Sequence, residues 1–131
     1  MGGASAADRS AAATVQLRRA YDPPRPDDGH RVLVDRLWPR GVRRDALRLD
    51  EWCREVAPSS ELRTWFGHDL TRWADFQARY RGELEHNDHV GRLARVARGG
   101  QLTLVHAAAD THHNHALVLR DVLLDTTEAI P

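Results

Sequence analysis

Two short polar segments contain most of the side chains that could do chemistry in this sequence. In the first, residues 35–41 (DRLWPRG), two arginines lie on either side of a Trp-Pro pair. The guanidinium groups of Arg36 and Arg40, beside a rigid turn, could bind a phosphate or carboxylate, and Trp38 could stack on the ligand. Alternatively, Asp35 forms an ion pair with one arginine while Trp38 packs in the core. The sequence leaves both interpretations open.

The second segment, residues 110–115 (DTHHNH), is the densest group of histidines in the chain. A neutral imidazole near a helix N-terminus can act as a general acid or base near neutral pH. We therefore predict that His115 or His113 transfers protons, and that Asp35 or Asp110 orients the histidine. The backbone amides of a helix N-terminus would also attract an anionic ligand.

The histidine segment also has two other interpretations. Imidazole is a common metal ligand, but His112 and His115 are three residues apart without a clear third ligand, so we predict no metal site. Alternatively, Asp110 caps a helix, Asn114 forms local hydrogen bonds, and the histidines are packing or surface residues. If the segment is a site, Asn114 is a candidate ligand contact. His68, between two predicted helices, is another such candidate, although a tight connection accounts for it equally well.

The elements that position these segments follow from hydrophobic patterning. Apolar runs predict strands at residues 14–19, 31–34 and 102–107, whereas residues 49–56 could form a strand or a helix. One helical turn is expected within residues 45–50. Capping residues and helical periodicity predict four further helices, which begin near Ser59, Asp69, Asp88 and Asp110. Gly67 is expected to end the first of these four.

This alternation of helices and apolar strands predicts an α/β fold. We expect a single three-layer domain with a mainly parallel sheet covered by helices on both faces. In such sheets, ligands bind outside the carboxyl ends of the strands. Residues 35–41 follow one strand and residues 108–115 follow another, so we predict a site where these two ends meet. The prediction requires the two strands to be parallel neighbours.

Composition limits the class of protein. The chain has 131 residues, which we divide into a flexible tail (1–13) and one domain (14–131). All 19 basic residues are arginine, which excludes a mechanism with a lysine nucleophile or Schiff base. The 19 acidic residues bring the formal charge to zero, which argues against nonspecific nucleic-acid binding. Cys53 is the single cysteine, so no internal disulfide can form. No segment resembles a membrane span or a secretory signal, so we expect a cytoplasmic protein without a membrane partner.

Several motifs in these segments resemble the family called domain of unknown function 488, in its short YeaO-like form. The most specific is residues 28–41 (DGHRVLVDRLWPRG), and the others include residues 21–24 (YDPP), 57–63 (APSSELR), 65–69 (WFGHD) and 113–116 (HNHA). The resemblance covers residues 17–124 and implies an α/β fold, but it brings no established activity or catalytic residue. His106 stands where relatives often have tyrosine, and Ala109 where they often have a basic residue. If that basic residue contacts a ligand, this chain would bind the ligand more weakly or differently.

The leading functional hypothesis is a pocket for an anionic small molecule, either a phosphorylated metabolite or a nucleotide, with catalysis left open. One alternative is a noncatalytic module that binds nucleic acid or protein through Trp38 and the arginines. A second alternative is a metal protein that uses histidines and aspartates. The chain has no glycine-rich phosphate loop and no serine nucleophile elbow, and we predict no cofactor. The oligomeric state stays open.

Overall fold

Parallel strands form the sheet at the centre of the domain. The computed structural model describes residues 14–129, so the predicted tail at residues 1–13 lies outside the described residues. The strands are β1 (Thr14–Arg19), β2 (His30–Leu33), β3 (Glu51–Trp52) and β4 (Gln101–His106), and their order in the sheet is β1-β4-β2-β3. β2 pairs with β4 in parallel, with Val32 opposite Leu104. The predicted parallel sheet is confirmed, and the strands that precede the two polar segments are neighbours.

Most of the helices lie between β3 and the end of the described chain. They are α1 (Arg44–Leu47), α2 (Ser60–Phe66), α3 (Trp73–Leu84), α4 (Asp88–Gly99) and α5 (His115–Ala129), with 3-10 turns at Pro26–Asp28, Arg54–Val56 and Leu70–Arg72. The ambiguous segment 49–56 contains both β3 and a 3-10 turn. Ser59 caps α2 as predicted, because its hydroxyl accepts a hydrogen bond from the Leu62 N–H (3.1 Å). Gly67 ends α2 with φ 52°. Within residues 14–129, no helix is long and apolar enough to cross a membrane.

Side-chain hydrogen bonds correct two of the predicted helix starts. Asn87, rather than Asp88, caps α4, and its side-chain oxygen accepts a backbone N–H of the first turn (3.0 Å). Asn114, rather than Asp110, precedes α5 and accepts a first-turn N–H in the same way (3.1 Å). The Asp110 carboxylate instead accepts the N–H groups two and three residues ahead, so it closes a loop turn before the helix begins. Asp69 does cap its element, the 3-10 turn that leads into α3.

Helices cover both faces of the sheet, as predicted, but very unequally. On one face, α2 to α5 pack over the buried side chains of Val32, Leu102 and Leu104. On the other face, α1 and the rest of residues 35–50 cover Leu33 and Val105. The chain that follows β2 therefore covers the second face, whereas the chain that follows β4 covers the first face. This divergence opens a crevice at the carboxyl ends of the two strands.

A buried ionic cluster around Asp28 occupies part of the second face. The Arg31 Nη1 atom lies 2.5 Å from Asp28 Oδ2, and both side chains are almost fully buried. Arg31 also donates two hydrogen bonds to the Leu47 carbonyl oxygen (3.2 and 2.8 Å), and Arg18 reaches the other Asp28 oxygen (3.2 Å). Burial raises the pKa of Asp28, but hydrogen bonds from the Arg25 N–H and from both guanidinium groups outweigh burial, so the pKa lies below its usual value. The cluster joins residues 25–28 to the sheet and to α1.

Tyr80 places a hydroxyl inside the helical layer. The side chain is fully buried, and its hydroxyl donates a hydrogen bond to the Val56 carbonyl oxygen. We expect Tyr80→Phe to lower the free energy of unfolding by about 1–2 kcal/mol, because that buried carbonyl would lose its partner. Urea unfolding measures the loss. Tyr21→Phe is the matched control, since the Tyr21 hydroxyl bonds at the surface (3.3 Å), and equal losses in both variants would contradict the prediction.

Candidate functional site

A cavity of about 490 Å³ lies at the carboxyl ends of β2 and β4. Both polar segments contribute to it, and α2 with the turn that follows supplies the facing wall. The lining residues are Asp35, Arg36, Ala57, Pro58, Arg63, Phe66, His68, Leu70, Phe76, Ala108, Ala109, Asp110, His113, Asn114 and His115. A volume of this size is typical of pockets for small molecules. The two segments predicted to meet do meet, because β2 and β4 are adjacent.

Asp35 joins the two strand ends at one side of the cavity. Its Oδ2 atom accepts a hydrogen bond from the Ala107 N–H (2.9 Å), and its carbonyl oxygen accepts one from the Trp52 ring N–H (2.8 Å). Its Oδ1 atom is buried, lies 3.0 Å from His115 Nε2 and makes no hydrogen bond. The hydrogen bond of His115 Nε2 is instead to the Val34 carbonyl oxygen (3.1 Å). Because a carbonyl oxygen can only accept, this hydrogen bond requires a proton on Nε2. His115 and Asp35 thus form one histidine–carboxylate pair of the cavity.

His113 and Asp110 form a second pair, nearer to solvent. The His113 Nδ1 atom lies 3.0 Å from an Asp110 carboxylate oxygen, and the His113 ring meets the Trp73 ring edge-on at 5.4 Å. Hydrogen bonds from the His112 N–H and then from His113 lower the pKa of Asp110. Asn114 is buried and donates a hydrogen bond to the Asp110 carbonyl oxygen (2.9 Å), so it fixes this loop as well as capping α5. The role of Asn114 is therefore at least partly structural.

Two arginines line the cavity, and the sequence predicted one of them. Arg36 Nη2 donates to the Pro58 carbonyl oxygen (3.1 Å) and to that of Ala57 (3.4 Å), which holds the guanidinium group against the start of α2. Arg63 is exposed on α2, one helical turn before Phe66, and both residues line the cavity. Arg63 and Phe66 are three residues apart, so they lie on one face of the helix. This spacing could identify Arg63 as a site residue only after the packing of α2 against the edge of the sheet was known. Sequence reasoning missed Arg63 for that reason.

Trp38 and Arg40 do not line the cavity, although both were predicted to contact a ligand. Trp38 packs edge-on against Trp52, with ring centres 5.4 Å apart, and its ring N–H donates to the Val42 carbonyl oxygen (2.7 Å). This packing places Trp38 against the core of the second face, as the alternative interpretation of the motif predicted. That interpretation also predicted an ion pair between Asp35 and an arginine, whereas the Asp35 carboxylate lies beside His115. Arg40 is exposed, and its carbonyl oxygen accepts the Tyr21 hydroxyl hydrogen bond. The chain turns away from the cavity after Arg36, so the predicted clamp of Arg36 with Arg40 does not form.

The remaining predicted residues divide between the cavity lining and the layer behind it. His68 lines the cavity in a left-handed conformation (φ 59°), and Ala109 also lines it. His106 lies at the end of β4, where it is almost fully buried and its Nδ1 accepts the Ala108 N–H (3.2 Å). Burial, followed by the charge of His115, lowers the pKa of His106 to about 4. His106 is therefore neutral near pH 7.

A metal site receives no support from the described part of the chain. Among residues 14–129, no three or more histidine, cysteine, aspartate or glutamate side chains are grouped so that they could hold a metal ion. Two histidine–carboxylate pairs line the cavity, but a catalytic metal commonly has three protein ligands. The chemistry available in the cavity is therefore anion binding by arginine, hydrogen bonding, and proton transfer by histidine.

Comparisons with known proteins agree with the motifs found in the sequence. A family model described as the inactive DUF488-N3 subclade matches residues 14–130. The chain is 47% identical over 110 residues to the uncharacterised protein YeaO of Escherichia coli strain K12, covering 83% of this chain and 96% of that protein. It is 41% identical over 109 residues to the uncharacterised proteins Mb3100c of Mycobacterium bovis and Rv3073c of Mycobacterium tuberculosis, covering 83% of this chain and 92% of each relative. No solved structure matches the chain. The chain belongs to the domain of unknown function 488 family, as a YeaO-like member of its N3 subclade.

Proposed function

We propose that the cavity binds an anionic small molecule, either a phosphorylated metabolite or a nucleotide. The observation that carries this proposal is the charge distribution in the lining. Asp35 and Asp110 each lie 3.0 Å from a histidine ring nitrogen. Each carboxylate also accepts backbone N–H groups, so both already have partners within the protein. The guanidinium groups of Arg36 and Arg63 make no ion pair within residues 14–129. Two uncompensated guanidinium groups favour a ligand that carries a phosphate or carboxylate.

An apolar wall of the cavity suits the uncharged part of such a ligand. Phe66, Phe76 and Leu70 line this wall, and Leu70 is half exposed at 53%. Small-molecule sites combine an apolar lining with a few polar groups that fix orientation. A flat or apolar body could therefore lie on the aromatic wall while its anionic group contacts the arginines.

Binding without turnover is the form of this proposal that we favour. The matching family is described as an inactive subclade, which supports a ligand-binding role over catalysis. The catalytic alternative would use His115 for proton transfer, with Asp35 orienting it, and its support is their 3.0 Å separation. A cytoplasmic location is also part of the proposal, because Cys53 is buried and unpaired and so needs no oxidising compartment.

Thermal stabilisation by phosphate compounds tests the binding proposal. The probes are inorganic phosphate, pyrophosphate and thymidine 5′-monophosphate, each compared with chloride at equal ionic strength, and thymidine serves as the uncharged control. At one hundred times Kd, a ligand adds about 2.7 kcal/mol to the free energy of unfolding, which raises Tm by several degrees. At least one probe should do so, and thymidine should not. An unchanged Tm with all three phosphate compounds would contradict the proposal.

Arg63→Ala is the sharpest variant for this test. The Arg63 side chain is exposed and makes no hydrogen bond or ion pair within residues 14–129, so we expect its removal to leave the fold intact. Its loss should weaken binding of the stabilising probe by roughly tenfold or more, as expected for a hydrogen bond to a charged group. Arg95→Ala, an exposed arginine on α4 outside the cavity, is the matched control. Equal affinities in the two variants would place the anion elsewhere.

A further inference from the structure

An exposed surface of mixed arginine and apolar character adjoins the cavity. We call it the arginine–aromatic surface, and it consists of Arg19, Tyr21, Leu37, Trp38, Arg40 and Arg44, of which Arg19 and Trp38 are partly buried. Tyr21 (49%) and Leu37 (62%) are exposed, unlike most large hydrophobic side chains in the described part of the chain. Leu37 directly follows Arg36 of the cavity lining. Exposed apolar groups beside a site are typical of an interaction surface.

Direct contacts connect this surface to the cavity. The Arg19 Nε atom donates a hydrogen bond to the carbonyl oxygen of Ala108, a lining residue (3.0 Å). The Arg19 guanidinium group lies over the Tyr21 ring, 5.2 Å from its centre. The Tyr21 hydroxyl donates in turn to the Arg40 carbonyl oxygen (3.3 Å). These contacts place arginine and aromatic groups directly beside the cavity lining.

Positive charge is concentrated here, although the whole chain is neutral. Residues 35–48 contain five arginines and two aspartates. Of the aspartates, Asp35 lies beside His115 in the cavity, and Asp45 pairs with Arg43 (3.5 Å). Arg40 and Arg44 contact no carboxylate within residues 14–129, and Arg44 lies over the Trp38 ring, 5.5 Å from its centre. These two charges are available to a polyanion.

We propose that the cavity receives the phosphorylated end of a single-stranded nucleic acid, and that the arginine–aromatic surface holds the nucleotides that follow. The inference rests on the proposed function, since it makes the anionic small molecule the terminal nucleotide of a strand. Proteins that bind single strands combine positive groups along the backbone with aromatic side chains that stack on bases. A base-paired terminal nucleotide could not enter the cavity with its partner strand attached. Zero net charge agrees with recognition of an end rather than with general duplex binding.

Isothermal titration calorimetry with strands of increasing length tests this inference. The probes are thymidine 5′-monophosphate, a 5′-phosphorylated thymidylate hexamer, the same hexamer with a 3′-phosphate, and the hexamer without a terminal phosphate. We expect one of the phosphorylated hexamers to bind roughly tenfold or more tightly than the monophosphate. Removal of the end phosphate should eliminate most of the affinity for the hexamer. The corresponding uridylates distinguish an RNA source from a DNA source.

The variant Arg40→Ala/Arg44→Ala separates the surface from the cavity. It should remove the gain in affinity with strand length and leave the affinity for the monophosphate unchanged. The slope of log K against log salt concentration should become shallower by about 0.7 for each phosphate that the variant no longer binds. Arg79→Ala/Arg95→Ala is the matched control, because it removes the same charge from exposed positions on α3 and α4. Arg79 also stacks on a tryptophan, at 4.3 Å from the Trp65 ring centre, as Arg44 stacks on Trp38.

The outcomes distinguish failure of this inference from failure of the proposed function. Equal affinities for the monophosphate and the hexamers would overturn the inference and leave the small-molecule site standing. Equal affinities for hexamers with and without the end phosphate would overturn the role of the cavity in strand binding. Binding of a heptaglutamate peptide through Arg40 and Arg44, with no hexamer binding, would replace nucleic acid with an acidic protein partner. If no phosphate compound binds at all, both proposals are wrong.

Discussion

Arg31→Met should lower the free energy of unfolding by about 3–5 kcal/mol, because it breaks a buried ion pair by removing one partner. The substitution keeps the apolar stem but removes the guanidinium group that lies 2.5 Å from Asp28. It removes one of the two donors to the buried Asp28 Oδ2 atom and leaves the Leu47 carbonyl oxygen without its side-chain donors. Both Arg31 and Asp28 are at least 95% buried, so water cannot replace these hydrogen bonds. Chemical denaturation with urea measures the effect.

Arg18→Met is the control for this experiment. Arg18 contacts the same carboxylate at 3.2 Å, but its side chain is 25% exposed, so its loss should cost about 1 kcal/mol or less. The pH dependence of the free energy of unfolding gives a second readout. Because the folded pKa of Asp28 is lowered, its contribution is complete above the unfolded pKa of about 3.8 and is lost as the pH falls through the folded value. A loss in Arg31→Met no greater than that in Arg18→Met would show that the buried pair is not a main source of stability.

Acidification from pH 6.5 to about pH 4 should remove about 3 kcal/mol of stability through His106 alone. Burial holds this imidazole neutral, and its Nδ1 accepts the Ala108 N–H in the folded state. The unfolded chain takes up a proton at His106 below pH 6.5, whereas the folded chain does so only near pH 4. Stability from this group is therefore unchanged above pH 6.5 and decreases as the pH falls. Asp35 and His115 lie close enough to influence the titration, and Arg19 and Asp22 also act on it.

His106→Asn isolates this contribution, since asparagine can accept the Ala108 hydrogen bond but cannot titrate. Its unfolding free energy should decrease less steeply than that of the wild type between pH 6.5 and pH 4. His86→Asn, at an exposed histidine, is the matched control. Urea unfolding at several pH values gives the three curves. A curve for His106→Asn that runs parallel to the control would show that folding does not lower the pKa of His106.

Local sequence determined much of the fold. The apolar strand patterns, the Ser59 cap and the end of α2 at Gly67 depend on near neighbours, so they could be predicted without tertiary information. The motif at residues 28–41 identified the family for the same reason, because it is a property of the chain itself. The approximate position of the cavity also followed, since the carboxyl ends of parallel strands gather at one edge of a sheet.

Competing local choices could not be resolved in the same way. Asp110 and Asn114 are both good capping residues four positions apart, and Asn87 and Asp88 are adjacent. The choice at α5 depends on the Asp110 carboxylate, which is already engaged by the preceding loop. Local propensity alone gives such neighbours nearly equal weight.

The composition of the site was decided by tertiary structure. Arg36 and Arg40 are equally suited to bind an anion by residue type, but the packing of Trp38 against Trp52 turns the chain after Arg36 and leaves Arg40 outside the cavity. Arg63 reaches the cavity because α2 packs across the strand ends, a contact between residues distant in sequence. The sequence alone therefore specified β1, β2 and β4, the family and the edge at which the cavity lies, but it left β3 open between strand and helix. Long-range packing selected the side chains that line it, because the direction of a side chain beyond a strand end depends on what the following residues pack against.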